Sequence, residues 1–122
     1  MPFMIRWKKK LLMNNKKSIS MLGLARRAGK LSMGHDMALL AVKSKKAKLV
    51  IFASDISPRL VNEFEKAVNS YNNGIKCIKI SETINQLHMA LGYKAGVITV
   101  DDINFSNRII ELLSQEENVY GN

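Results

Sequence analysis

The sequence predicts an α/β fold with helices on both faces of a central, largely parallel sheet. Three compact apolar runs rich in β-branched residues, at 48–54, 75–80 and 96–100, read as strands. The stretches between them are of helical length and carry apolar residues at three- and four-residue spacing. Strands alternating with helices of this size form βαβ units, and right-handed crossovers place the helices on both faces. A chain of 122 residues, 47% hydrophobic, supplies one core and one domain.

Taken in order, Ser20 reads as the cap of a first helix carrying Met21, Leu22, Leu24 and Ala25, with Gly29 just past its end. Residues 30–32 read as a short extended piece. Gly34 opens a second helix with Met37, Leu40 and Ala41 on one face, ending in the cationic stretch Lys43–Lys46. After the strand 48–54, Ser57 at N-cap and Pro58 at N1 start a helix whose predicted buried face is Leu60, Phe64, Val68 and Tyr71. Asn72-Asn73-Gly74 ends it ahead of the strand 75–80. Ser81 or Thr83 caps the next helix, with Ile84, Leu87 and Leu91 on one face and Gly92 at its close. After the strand 96–100, Asp101 and Asp102 begin a last helix bearing Phe105, Ile109 and Leu112, and a polar tail over 115–122 is expected to fray.

Charge is distributed unevenly. The formal net charge is +9. Arg6, Lys8, Lys9, Lys10, Lys16, Lys17, Arg26, Arg27 and Lys30 all precede the first acid, Asp36. Lys43, Lys45, Lys46 and Lys48 form a second group, and from residue 61 onward acids outnumber bases. Such an asymmetry suits a polyanion, most commonly nucleic acid. Residues 1–17 read as a flexible basic tail. Their apolar stretches are too short for a secretory signal, and no run is long enough to span a bilayer. The single Cys77 lies in an apolar stretch and reads as a reduced core thiol, compatible with the cytoplasm.

Few constellations point to catalysis. His35 and Asp36 are adjacent on a helix, so they are expected to project about 100° apart rather than to form a dyad. At a helix N-terminus the pair suits an anion or RNA contact better. Asp101-Asp102 resembles an acidic pair, and Asp55 also follows a strand, but helix capping explains them more simply. His35 and His88 lack metal-ligand spacing. No glycine-rich phosphate loop occurs. Tyr93-Lys94, in the loop before the third main strand, pairs an aromatic with a cation, a combination that stacks on unpaired bases.

The runs LGLARRAGKLSMG (22–34) and KAKLVIFASDISPRL (46–60), with LHMALG (87–92), resemble the ribosomal protein L7Ae family, specifically its bacterial YlxQ-like branch, over residues 18–114. The resemblance implies a three-layer α/β/α sandwich with a mixed sheet of about four strands, and neither cofactor, metal nor catalysis. It implies RNA contact, typically with kink-turns, through three loops that map to residues 32–37, 55–61 and 92–96. The family's Gly-x-Asn-Glu motif, with a Lys three residues after the Glu, is matched here by Gly34-His35-Asp36-Met37 and by Leu40 in place of the Lys. Ionised Asp36 only accepts hydrogen bonds, whereas an amide also donates. Met37 accepts nothing from a guanine edge, and Leu40 removes a cation. These departures weaken kink-turn discrimination and shift weight to phosphate contacts.

The first reading is therefore an RNA-binding accessory protein acting on ribosomal or other structured RNA, cytoplasmic, monomeric and free of membrane. Arg26, Arg27, Lys30, Gly34, His35, Asp36, Ser57, Arg59, Tyr93 and Lys94 are the candidate RNA-binding residues. A second reading is a protein–protein module that docks an acidic partner and shows an apolar patch around Met33, Met37 and Ile56. A third, a small enzyme or receiver domain using Asp55 or Asp102, lacks its partner residues.

Overall fold

The computed structural model describes residues 16–72 and 74–120. Its elements are α1 (Lys17–Arg27), β1 (Leu31–Met33), α2 (His35–Lys43), β2 (Leu49–Phe52), α3 (Pro58–Tyr71), β3 (Lys76–Lys79), α4 (Ile84–Leu91), β4 (Val97–Val100) and α5 (Ile103–Tyr120). The four strands form one sheet in the order β1-β4-β2-β3. Only β2 and β3 run parallel, and β4 is antiparallel to both β1 and β2. The sheet is thus mixed, as the family resemblance implies, and not largely parallel. Alternation of strands and helices does not report direction, and the short extended piece before α2 proves to be a strand that pairs with β4.

Every residue of β2 and β4 is buried, because these central strands are covered on both faces. Helix α1 packs against α4 and α5, and α2 packs against α3, giving the two outer layers. The sheet edge β3 is only half-buried. Cys77 sits there, so its thiol is half-buried rather than a core group, and desolvation still pushes its pKa up to about 11.

Three local starts and stops follow the sequence closely. Ser57 accepts from the Leu60 N–H with Pro58 at N1. Thr83 and Gln86 form a reciprocal capping box. Gly29, at φ 72°, ends α1 in a Schellman turn, with the Lys30 N–H on the Ala25 carbonyl.

The beginning of α1 differs. The helix starts at Lys17 and contains Ser20, and no side chain of its own N-cap residue closes it. Instead the Glu116 carboxylate accepts from the Ser18 N–H at 3.0 Å and the Ser18 hydroxyl at 2.7 Å. Lys16 is tied to Glu82 at 2.9 Å and to Ser81 at 2.8 Å. Lys16 and Lys17 therefore belong to the folded unit, while the rest of the expected basic tail lies outside the described residues. At the other end α5 runs to Tyr120, through Glu116 and into the stretch read as a polar tail. Tyr71 is exposed rather than buried, and the Lys43 ammonium lies 5.6 Å from its ring centroid.

Candidate nucleic-acid interface

Antiparallel β4 decides what meets at one end of the sheet. Because β4 begins where β1, β2 and β3 finish, the segments 32–37, 55–61 and 92–96 converge there. Backbone bonds join them: Gly34 N–H to the Val97 carbonyl at 3.0 Å, and Ala53 N–H to the Gly96 carbonyl at 2.9 Å. The Asp55 carboxylate accepts from the Ile84 N–H at 2.9 Å, pinning the start of α4. Ile56 is buried against Gly96, so close that a Cβ on Gly96 would stand 2.7 Å from Ile56 Cγ2. Ile56 is thus a rivet of the loop end and not part of an exposed apolar patch. Met37 and Leu40 are the large apolar side chains that α2 leaves exposed.

Gly34 is the N-cap of α2 at φ 91° and ψ 164°, a region that side chains rarely adopt. It offers no side-chain acceptor, so the first-turn amides of α2 face outward unpaired by a cap. Ser57 and Arg59, at the start of α3, and Tyr93 and Lys94, before β4, are exposed at this same end. Arg26 approaches from α1, its Nη1 3.6 Å from where a Cβ on Gly92 would lie. Arg27 lines a separate groove with Leu24 and Met89. Lys30 does not join the group: it precedes β1, its carbonyl accepts from the Asp101 N–H at 2.8 Å, and it lies at the opposite end of the sheet.

His35 and Asp36 do touch, contrary to the expectation from helical projection. His35 Nδ1 lies 2.9 Å from Asp36 Oδ1, and Nε2 lies 2.9 Å from Glu63 Oε2 on α3. At the first helical position the ring is free to turn back over its neighbour and reach across to α3. Its edge rests on Phe64, with ring centroids 5.7 Å apart at 85°. Asp36 and then Glu63 raise the His35 pKa by accepting hydrogen bonds from its charged form. Glu63 was not foreseen, since nothing local in the sequence links it to a residue 28 positions earlier.

The acidic candidates have structural work. Asp102 accepts from the Phe105 N–H and caps α5 as expected. Asp101 does not cap. Its buried carboxylate accepts from the Ser32 hydroxyl at 2.6 Å and the Thr99 hydroxyl at 2.9 Å, stitching β1 to β4. Among the described residues, no group of three or more His, Cys, Asp or Glu side chains could hold a metal ion. Nor is any helix among them long and apolar enough to cross a membrane.

Three comparisons bear on the site. A family profile described as the ribosomal protein L7Ae/L30e/S12e/Gadd45 family matches residues 16–119. Among characterised proteins, the chain is 30% identical over 94 residues to "RNA-binding protein YlxQ" of Bacillus subtilis (strain 168), covering 76% of this chain and 91% of that one. It is 27% identical over 100 residues to the protein of the same name from Enterococcus faecium, covering 82% and 94%. Among solved structures, a protein with unknown function from Bacillus halodurans C superposes with a TM-score of 0.74 at 30% identity, over 82% of this chain and 99% of that one. The Giardia lamblia 15.5kD RNA binding protein superposes with a TM-score of 0.64 at 21% identity, over 89% of each chain, a likeness of fold alone.

Proposed function

The chain belongs to the ribosomal protein L7Ae/L30e/S12e/Gadd45 family, and on that premise we propose that it is an accessory RNA-binding protein that contacts structured RNA through the loop end of its sheet. Family membership and the YlxQ relatives place it among RNA binders and not among enzymes. The observation that carries the reading is the convergence, through antiparallel β4, of segments 32–37, 55–61 and 92–96 around the uncapped start of α2.

The chemistry available there favours phosphate over base edges. The α2 amides and the positive end of its dipole seat an anion. Arg59 and Lys94 add charge, and exposed Tyr93 gives one unpaired base a surface to stack on. Where the family motif reads bases, this chain has Asp36 turned toward His35, and exposed Met37 and Leu40. We infer weak discrimination of a kink-turn from a duplex of equal length, a ribosomal or other structured RNA as target, and a cytoplasmic, monomeric protein.

A filter-binding titration of the full chain, with a kink-turn RNA and a matched duplex, checks both parts. Both RNAs are expected to bind at low salt with similar affinity, and each good base-edge contact retained would instead favour the kink-turn by about 1–3 kcal/mol. Absence of affinity for either RNA at low salt refutes the reading. A protein partner docking on exposed Met37 and Leu40 is the competing reading, and co-purification of a protein after nuclease treatment would favour it.

A further inference from the structure

The end of the sheet remote from the loops carries the denser positive charge, and we infer that it is a second RNA-contacting surface, so that one chain holds two RNA segments. Lys30 enters β1, Lys45, Lys46 and Lys48 lie in the connection from α2 to β2, and Lys76 begins β3. The sheet register places them side by side: Leu31 and Leu49 both pair with Val100, and Leu49 pairs with Lys76. The Lys48 N–H bonds the Val100 carbonyl at 2.7 Å, and the Asp101 N–H bonds the Lys30 carbonyl at 2.8 Å. Lys30, Lys45, Lys46 and Lys76 are exposed and Lys48 is half-buried.

The acids at this end, Asp101, Asp102 and, beside Cys77 and Ile75, Glu65, are outnumbered by the five lysines. Asp101 has 1% of its side chain exposed, accepts from two hydroxyls and pairs with Lys46 alone of these lysines, at 3.9 Å. Asp102 accepts from the Phe105 N–H at the start of α5. The loop end differs, because Asp36, Asp55, Glu63 and Glu82 stand among its cations.

Helix C-termini attract cations, and Lys43 answers the end of α2 in that way. That effect reaches only the last turn, whereas these lysines run across the sheet from β1 to β3. Four strands at about 4.8 Å spacing make a front of about 14 Å, a width that meets several phosphates of an RNA strand or of an A-form minor-groove edge. The front is built on a fixed base: Lys45 sits at φ 64°, and the Lys46 and Ala47 amides both bond the Ala41 carbonyl.

The choice of RNA rests on the reading proposed above, and the cationic front does not. A test uses two non-complementary RNA hairpins, one biotinylated and immobilised, one fluorescent. The full chain is expected to retain the fluorescent hairpin on the immobilised one at low salt. A variant with Lys30, Lys45, Lys46 and Lys76 each changed to Gln, checked for an unchanged melt, should lose that retention. Its log–log salt slope for a single hairpin should fall by about 0.7–0.9 for every lysine that meets a phosphate. An Arg59→Gln/Lys94→Gln variant separates the two readings. If its binding is unchanged while the lysine variant fails, the loop-end reading falls and the lysine front stands. An unchanged slope in the lysine variant overturns the inference, as does failure of the unaltered chain to bridge when weakened binding of the Arg59→Gln/Lys94→Gln variant shows that the loop end holds RNA. Lysine-dependent binding of poly-L-glutamate without any RNA binding also overturns it and points to an acidic protein.

Discussion

The two ends of the sheet are built on opposite principles. The loop end is shaped: Ile56 against Gly96, Phe64 under His35, and backbone bonds between connections set its geometry, while its acids and bases nearly balance. The far end is charged: its lysines lie in short connections and at the start of β3, and its buried acid Asp101 is turned inward to Ser32 and Thr99. Shape without net charge suits recognition of a folded RNA, and charge without shape suits its backbone. The family resemblance speaks to the first end only. Among the described residues, Lys30, Lys45, Lys46 and Lys48 thus lie at the far end, while Lys16 and Arg26 lie at the loop end, where the sequence had suggested a cationic edge.

Four measurements test this contrast. Phe64→Ala removes a fully buried ring that touches both His35 and Phe52, and should cost about 3–5 kcal/mol in urea unfolding. A loss under about 1 kcal/mol would show that packing is not what shapes the loop end. Asp101→Ala leaves the Ser32 and Thr99 hydroxyls without their acceptor and should cost about 1–3 kcal/mol in the same assay, with Asp101→Asn nearer wild type. Gly96→Ala drives a methyl to 2.7 Å from Ile56 Cγ2 and should cost about 1–3 kcal/mol. It should also weaken RNA held at the loops while leaving the lysine-dependent salt slope intact.

The smallest effect is a pH dependence. His35 has a folded pKa above its ordinary 6.5, through Asp36 and Glu63. Its contribution to stability is complete below pH 6.5 and is lost as pH rises through the raised folded value. Both partners are exposed, so the effect is small and salt-screened. Melting temperature measured from pH 5 to 8 should fall slightly more steeply in the native chain than in His35→Gln, and coincident curves would remove His35 from the account.

Much of the fold was legible because its signals are local. Ser57-Pro58, Gly29 and Gly92 each declare a helix boundary through a short-range bond or a positive φ, and of the two caps left open, Ser81 and Thr83, the structure takes Thr83. The strand direction was not legible: a buried run such as Val97–Val100 is equally apolar in either orientation. The site was legible as segments, through the motif at Gly34 and the turn at Asp55 to Pro58, but not as an electrostatic surface. Lys30 lies only four residues from Gly34 in sequence, yet a strand carries it to the other end. Glu63 and the inward role of Asp101 depend on contacts between distant elements, which no local pattern encodes.

The clasp between Glu116 and Ser18 has a consequence for synthesis. The two residues stand 98 positions apart, so α1 leaves the ribosome well before α5 and waits for it before its opening amide finds its acceptor. Closure of that circle is a late, long-range event, which slows folding relative to local contacts. A chain truncated after Leu113 would keep its sheet residues and lose the latch, and Glu116→Ala should show in the fraying of α1 before it shows anywhere else.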